Sequence, residues 1–346
     1  MANCFKVAVI LGFFGSFAMA LNTAQIEALG KKAVLEQADM AQIDAFLASA
    51  VQEIVDTEDF GNIAEVRAAV VANSKSEQAQ YKPAFAAAVA KYLPQGVEKA
   101  KAIKDEKRQA NALINLMILM ESLKNPALVD AAAGMLGSDN AAVRYWAVRN
   151  IASLAGDNQK AAQVGLAKLG GMIGKETSAD VLEQIARFGA TAKINGAKKL
   201  LFDVADMRIK GYQDWSLNNF EPDGAILSLL GNSIAAGTEN DPAAVRFAQL
   251  LAYAMGRYCN DENLSKAKKA ELGEVLTATE AGALAKIGMP QTTIKKALTE
   301  RGGTAAVVLG EYKVLYGEDG ASGKINTVLK VKSVSALPAK PVSSIK

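Results

Sequence analysis

Between Thr23 and Ala306, glycines and prolines recur so that they leave segments of about ten to eighteen residues rich in alanine, leucine, lysine, glutamate and glutamine. These residues are strong helix formers. No long alternation of apolar and polar side chains competes with them, so the sequence predicts an all-α protein. Breakers such as Asn125-Pro126, Gly137-Ser138-Asp139, Gly156-Asp157, Gly174-Lys175, Gly189, Gly196, Pro222 and Pro242 fall at regular intervals. Helices joined by such short turns pack antiparallel, and the chain is expected to build by stacking helical hairpins.

The first helices are marked by apolar residues at three- and four-residue spacing: Ile26, Leu29 and Ala33, then Ile43, Phe46, Leu47, Val51, Ile54 and Val55. Thr23 is expected to cap the first of them. Gly61, Pro83 and Pro94 punctuate a third and a fourth, with Pro83 in a first turn, where proline is tolerated. Asp56, Glu58 and Asp59 have the chemistry for calcium but read more simply as an acidic cap before Gly61. The stretch "KDEKRQANALINLMILMESLKN" is almost uniformly apolar from Leu113 to Met120. The charges at Arg108 and Glu121 leave it well short of the roughly 20 residues of a membrane span, so it reads as a helix sandwiched between neighbours.

Two phrases about a hundred residues apart echo each other: "SDNAAVRYWAVRNIASL" from Ser138 and "NDPAAVRFAQLLAYAMG" from Asn240. In the first, Val143, Ala147, Ile151 and Leu154 fall on one helical face. In the second, Ala244, Ala248, Leu251, Met255 and Tyr258 do the same, and Pro242 takes the first helical position behind Asp241. "GNIAEVRAAVVA", from Gly61, is a weaker third copy.

At these residues the chain resembles the HEAT-repeat family, whose second helices open on an Asp-Pro-x-Val-Arg-like phrase with alanine one turn later. The resemblance covers roughly residues 108–256 and implies a HEAT-like α-solenoid of antiparallel helix pairs. "SADVLEQIARFG" matches loosely and lacks the arginine. Val143 and Val181 lie 38 positions apart, near the unit of about 40 to 47, whereas Val181 and Val245 lie 64 apart, which puts the regularity of the stack in question between Gly196 and Asp241. In such stacks the repeated arginine pairs with an acidic residue of an adjacent repeat, so Arg144 and Arg246 are given a structural role with Asp139 and Asp241 as acceptors. An anion-binding ladder formed with Arg67 is the alternative.

Within the irregular interval, "RIKGYQDWSLNNFEPDGAIL" (Arg208 to Leu227) reads as a long segment without helical periodicity. Its Tyr212, Asp214, Trp215 and Phe220 form the candidate binding residues, since aromatics beside carboxylates on an inserted loop suit a protein partner or a sugar. The competing role is that the rings fold back to plug the gap between repeats. Beyond Pro290, Thr304 to Tyr316 is expected to be a helix followed by one short extended piece, the alternative being a strand, a Gly-rich turn and a second strand with alternation at Ile325, Thr327, Leu329 and Val331. "VSALPAKPVSSIK" then reads as a disordered tail.

Charge and rare residues narrow the function. "MANCFKVAVILGFFGSFAMA" combines Lys6, an apolar run from Val7 to Ala18 and an Ala-x-Ala site ending at Ala20, the pattern of a secretory signal peptide. Export to the periplasm or the extracellular space follows as an expectation, with no membrane span in the mature chain. Without Lys6 the 39 basic side chains become 38 against 36 acidic ones, a net of +2, which gives no pull toward nucleic acid. Lysine clusters at Lys99 to Lys107 and Lys266 to Lys269 are assigned no ligand.

There is no histidine. Ser-His-Asp and Cys-His catalysis and the usual catalytic zinc sites are thereby excluded. Cys259, left alone once Cys4 is removed with the leader, reads as a small apolar side chain at a helix end. No cofactor and no metal site is expected.

One phrase suggests an enzyme. "MESLKNP", from Met120, is similar to the Glu-Ser-x-x-Asn-Pro stretch around the catalytic acid of lytic transglycosylases, exported helical enzymes that need no histidine. That resemblance implies Glu121 as a general acid raised in pKa by an apolar pocket. Downstream, "AGMLGSDN" supplies Gly134 and Met135 but lacks that family's glutamine.

The sequence thus predicts a leader over 1–20, an N-terminal helical region over 21–104, a HEAT-like solenoid over 105–301, and a C-terminal helix with its tail over 302–346. Its expected role is an exported, non-catalytic scaffold that presents a surface to a protein partner or to envelope glycan; its oligomeric state is left open.

Overall fold

The computed structural model describes residues 22–156, 158–289, 293–318 and 322–341. The expected leader, with its cleavage after Ala20, lies outside the described residues, as does the end of the tail from 342 onward. All regular structure among the described residues is helical, and they contain no strand. No described helix is long and apolar enough to cross a membrane. The chain divides into two compact units, one up to Leu119 and one from Met120.

The first unit holds α1 (Thr23–Leu29), α2 (Gln37–Asp56), α3 (Phe60–Asn73), α4 (Tyr81–Lys101) and most of α5 (Glu106–Leu123). Asn22 caps α1, one residue ahead of the expected Thr23, its side chain accepting from the Gln25 N–H. Asp59 caps α3 through Gly61 and Asn62, as an acidic cap should. Pro83 sits in the first turn of α4, but Pro94 does not end that helix. Its lost hydrogen bond is outweighed by burial on either side, where Leu93, Val97 and Ala100 are each at most 1% exposed. Two residues beyond the proline, Gly96 lets α4 approach α2, because a Cβ there would collide with Val51. Leu113, Leu116, Met117, Leu119 and Met120 of α5 are all buried, which explains the uniformly apolar run.

The second unit opens with a short 3-10 turn, Pro126–Leu128, and α6 (Val129–Ala133). It continues through α7 (Ala141–Ala155), α8 (Gln159–Met172), α9 (Ala179–Thr191), α10 (Lys198–Gln213), α11 (Glu221–Ser233), α12 (Pro242–Asn260) and α13 (Lys266–Thr279). From α6 to α13 each helix packs on its next or next-but-one neighbour: α6 on α7 and α8, α7 on α8 and α9, α9 on α10 and α11, α10 on α11 and α12, α11 on α12 and α13. Contact confined to near neighbours is the organisation of a stacked helical array. The wide interval between Val181 and Val245 is filled by α10 and α11, which keep the same neighbour pattern.

Three helices close the unit: α14 (Thr293–Thr299), α15 (Ala305–Tyr316) and α16 (Lys324–Leu329). α15 packs on α12 as well as on α14. That makes α12 the most enclosed helix, with an unbroken buried run from Leu250 to Tyr258. Two expectations are corrected here. Ile325 to Leu329 is helical instead of extended, because Ile325 and Leu329 are four residues apart and bury on one face. The described part of the tail is not loose: Lys332 N–H donates to Asn240 just ahead of α12, and Ser335 exchanges two hydrogen bonds with Gln249 of α12.

Candidate functional site

The segment expected to be a long aperiodic loop is largely helix. α10 runs to Gln213 and α11 starts at Glu221, so only residues 214–220 connect them. The periodicity was hidden because the helix ends carry the polar groups that clamp the turn. Arg208 of α10 donates from Nε and a terminal nitrogen to Asp223 of α11 at 2.6 and 3.0 Å, and Tyr212 donates its hydroxyl to the same carboxylate at 2.7 Å. Asp223 is wholly buried and Arg208 almost so. Burial, with the neighbouring Asp223 charge, pushes the Tyr212 hydroxyl well above the ordinary tyrosine pKa, so it stays a neutral donor.

Phe220 stacks on Tyr212 with ring centres 5.8 Å apart, and its N–H, like that of Glu221, donates to the Glu271 carboxylate on α13. Tyr212 and Phe220 are therefore interior props, which corrects the expectation that they face a partner. Asp214 stays exposed and Trp215 half-exposed. Trp215 holds a left-handed backbone at φ 57, unusual for so large a residue. Its ring lies 4.5 Å from the Arg257 guanidinium, and its indole N–H donates to the Pro338 carbonyl at 3.1 Å.

Arg257, one turn before the end of α12, is 5% exposed. Its Nε lies 2.8 Å from Asp261 Oδ2, as an ion pair out of line for a hydrogen bond, and one terminal nitrogen, Nη1, has no acceptor among the described residues. Sequence reasoning missed Arg257 and the tail residues that meet Trp215, Gly256 and Asp261. The hint was a Leu337-Pro338 pair in a tail of small, serine, lysine and proline residues.

The repeated arginines do brace neighbouring segments, but not through the expected acids. Arg144 donates twice to Glu176, at 2.7 Å each, and also holds the carbonyls of Ser138 and Asp139. Arg246 forks to Asp206 on α10 at 2.8 Å twice, beneath the Phe202 ring. Asp241 is instead the cap of α12, accepting from Ala243 and Ala244, while Asn140 rather than Asp139 caps α7. An aspartate bound to the N–H groups of its own helix end points away from the arginine one turn further on. Arg67, the weaker copy, has no hydrogen-bond partner at Nε among the described residues.

Glu121 is engaged as well. Its Oε1 accepts from two nitrogens of Arg149 at 3.1 and 2.8 Å, and that guanidinium lies 4.7 Å from the Trp146 ring. Burial opposes the Arg149 charge, yet its bonds to Glu121 and Tyr145 raise its pKa further. Cys259 is half-buried; burial pushes its thiol up to about 11 against the opposing charge of Lys269, so it is protonated at neutral pH. No cluster of three metal-ligating side chains occurs among the described residues. An open groove of about 910 Å³ lies between α13 and the turn at 298–303, lined by Tyr258, Lys269, Gly273, Glu274 and Gly303.

No family model and no curated protein matches the chain. Among solved structures it is similar to a crystal structure described as an engineered protein, at 15% identity over 84% of this chain and 95% of that one, with a TM-score of 0.25. A superposition so loose carries no argument about fold or function.

Proposed function

We propose that the chain is an exported, non-catalytic scaffold of HEAT-like architecture that presents its second unit to a protein partner, with the Asp214–Trp215 turn at the contact. The observation that carries this reading is where the paired charge goes. Arg208 with Asp223, Arg144 with Glu176 and Arg246 with Asp206 each fasten one segment to another, so the polar groups are spent on stacking. Glu121, the residue a lytic mechanism would need as its general acid, has Oε1 occupied by two hydrogen bonds from the Arg149 guanidinium. Trp215 remains half-exposed on a turn clamped from below, and a rigid aromatic on a fixed support is the usual anchor of a protein interface.

The test is a photo-crosslinking residue placed at Asp214 in the native host, with the exposed Asp130 as control position. One discrete protein adduct from 214 and none from 130 supports the scaffold. Peptidoglycan incubated with the purified chain supplies the other arm: release of soluble fragments that stops in Glu121→Gln replaces the scaffold with an enzyme. Co-sedimentation with intact peptidoglycan without release moves the partner from protein to glycan.

A further inference from the structure

The chain after α16 lies along the full length of α12. At the start, the Asn240 N–H donates to the Lys330 carbonyl and the Lys332 N–H to the Asn240 side chain, both at 3.1 Å. Midway, the Gln249 amide takes both main-chain groups of one residue, donating to the Ser335 carbonyl at 2.8 Å and accepting from its N–H at 3.0 Å. Two turns on, Leu337 rests on Gly256, where any Cβ would come within 2.9 Å of it. At the far end, Trp215 donates to the Pro338 carbonyl, and Lys340 reaches Asp261 at 3.2 Å. Lys330 to Lys340 at about 3.3 Å per residue would span about 33 Å, and Asn240 to Asp261 at about 1.5 Å per residue spans about 32 Å, so beyond the left-handed Lys330 and the bend at Lys332 the segment runs close to extended.

Most of these contacts ignore sequence. Gln249 and Trp215 bind main-chain groups that any extended peptide offers, while Leu337 and Lys340, with Lys330 and the buried Val331 at the start, are held by their side chains. Ser333, Ser335, Ala336 and Ala339 are exposed and small. Beside the Trp215 ring at this end of α12, the buried Arg257 Nη1 has no acceptor among the described residues, and an acceptor brought by another occupant would recover that free energy.

We propose that this face of α12, from Asn240 through Gln249 and Gly256 to Asp261 with Trp215 at its end, is a groove for an extended segment of a partner protein. The segment it fits carries an apolar residue, then proline, then a basic residue two positions later. Residues 332–341 of the chain fill the groove as a built-in competitor that the partner displaces. The proposal rests on the protein-binding reading above and names the chemistry of the partner's contact.

The test uses the full chain carrying Leu337→Asp and Lys340→Glu, which detaches the strap, and a fluorescent synthetic peptide with the wild-type sequence of residues 330–341. The strap variant is expected to bind the peptide saturably, roughly tenfold or more tighter than the wild-type chain, whose tethered strap competes at millimolar effective concentration. Adding Gln249→Ala to the strap variant should weaken that binding roughly tenfold while helical circular dichroism stays unchanged. Trypsin should cut at Lys332 faster in the strap variant than in the wild type.

No saturable binding to a variant whose strap is demonstrably cut overturns the groove. So does a strap that stays as protected as the wild type, since Leu337 and Lys340 then do not hold it. Concentration-dependent dimers of the wild-type chain that vanish with Gln249→Ala would make a second copy the occupant and overturn the assignment to a partner. The adduct at Asp214 is read separately, so loss of the groove and loss of the scaffold reading are distinguishable.

Discussion

Arg144 closes a fork on Glu176 from 32 positions away, two bonds of 2.7 Å, while the same carboxylate accepts the N–H groups of Thr177 and Ser178 at the start of α9. One buried carboxylate thus fixes both the turn before α7 and the turn before α9. Removing one partner of such a pair strands the other without compensation. Glu176→Ala is expected to cost about 3 kcal/mol in chemical denaturation. The Arg246–Asp206 fork has similar geometry but an Asp206 side chain 51% exposed, and Asp206→Ala should cost about 1 kcal/mol or less. Equal losses at the two sites would show that burial does not set their worth.

The same carboxylate gives the stability a pH dependence of known sign. Burial raises the Glu176 pKa, but Arg144 and the two backbone N–H groups outweigh it and the net shift is downward. A depressed folded-state pKa contributes stability that is fully present above the unfolded value of about 4.3 and is lost as pH falls through the folded value. Between pH 5 and 3, wild-type stability should therefore fall more steeply than that of Glu176→Gln. Parallel curves would remove Glu176 from the acid response.

Much of the stacking was legible because a helix's buried face repeats in the sequence: Val143, Ala147, Ile151 and Leu154 were named from spacing and all lie in the core. The partners of the arginines were not, since Glu176 and Asp206 carry no local signal and the nearby Asp139 and Asp241 looked like the acceptors. The Arg208–Leu227 stretch was misread for a related reason. Its helix ends bury Arg208 and Asp223, polar residues at core positions, and a periodicity that counts only apolar side chains breaks there. The strap escaped notice because Gln249 and Trp215 grip its backbone, and main-chain recognition leaves almost no trace in the side chains of the segment recognised.

The Arg208–Asp223–Tyr212 node should be the most sensitive point of the second unit. Asp223→Asn keeps the shape but leaves the buried Arg208 without its counter-charge, and about 3 to 5 kcal/mol of stability should be lost. Tyr212→Phe removes one hydroxyl donor and should cost about 1 kcal/mol. Trp215→Ala, at a half-exposed position, should leave the melting transition close to the wild type's. A melt in which Trp215→Ala is as damaging as Asp223→Asn would place Trp215 in the core.

Two helical glycines should respond to alanine with opposite signs. At Gly189 in α9 a Cβ would meet the Leu201 nitrogen at 2.6 Å and the Ala197 carbonyl oxygen at 3.0 Å, backbone atoms that cannot swing aside. Gly189→Ala should destabilise by about 1 to 3 kcal/mol. At Gly171 in α8 nothing lies within 4 Å. Gly171→Ala should stabilise by about 0.5 kcal/mol, through the helix propensity that glycine lacks. Thermal melts of the two variants beside the wild type decide the matter, and a shared sign would mean that α9 and α10 are not held as close as Gly189 requires.

Cys259 provides a chemical readout of burial at the end of α12. With its thiol pushed up to about 11, only about one molecule in a thousand carries the thiolate at pH 8, against roughly a quarter for an ordinary cysteine of pKa about 8.5. Alkylation by iodoacetamide, followed by mass spectrometry of the peptide that contains Cys259, should therefore run about two orders of magnitude slower than for a free thiol. The rate should rise close to tenfold per pH unit from 8 to 10. Lys269 opposes the upward shift, so Lys269→Ala should slow the reaction further, whereas an unchanged rate would mean that the lysine charge is not felt at the sulfur. Full reactivity at pH 8 in the folded chain would show that this end of α12 opens to solvent.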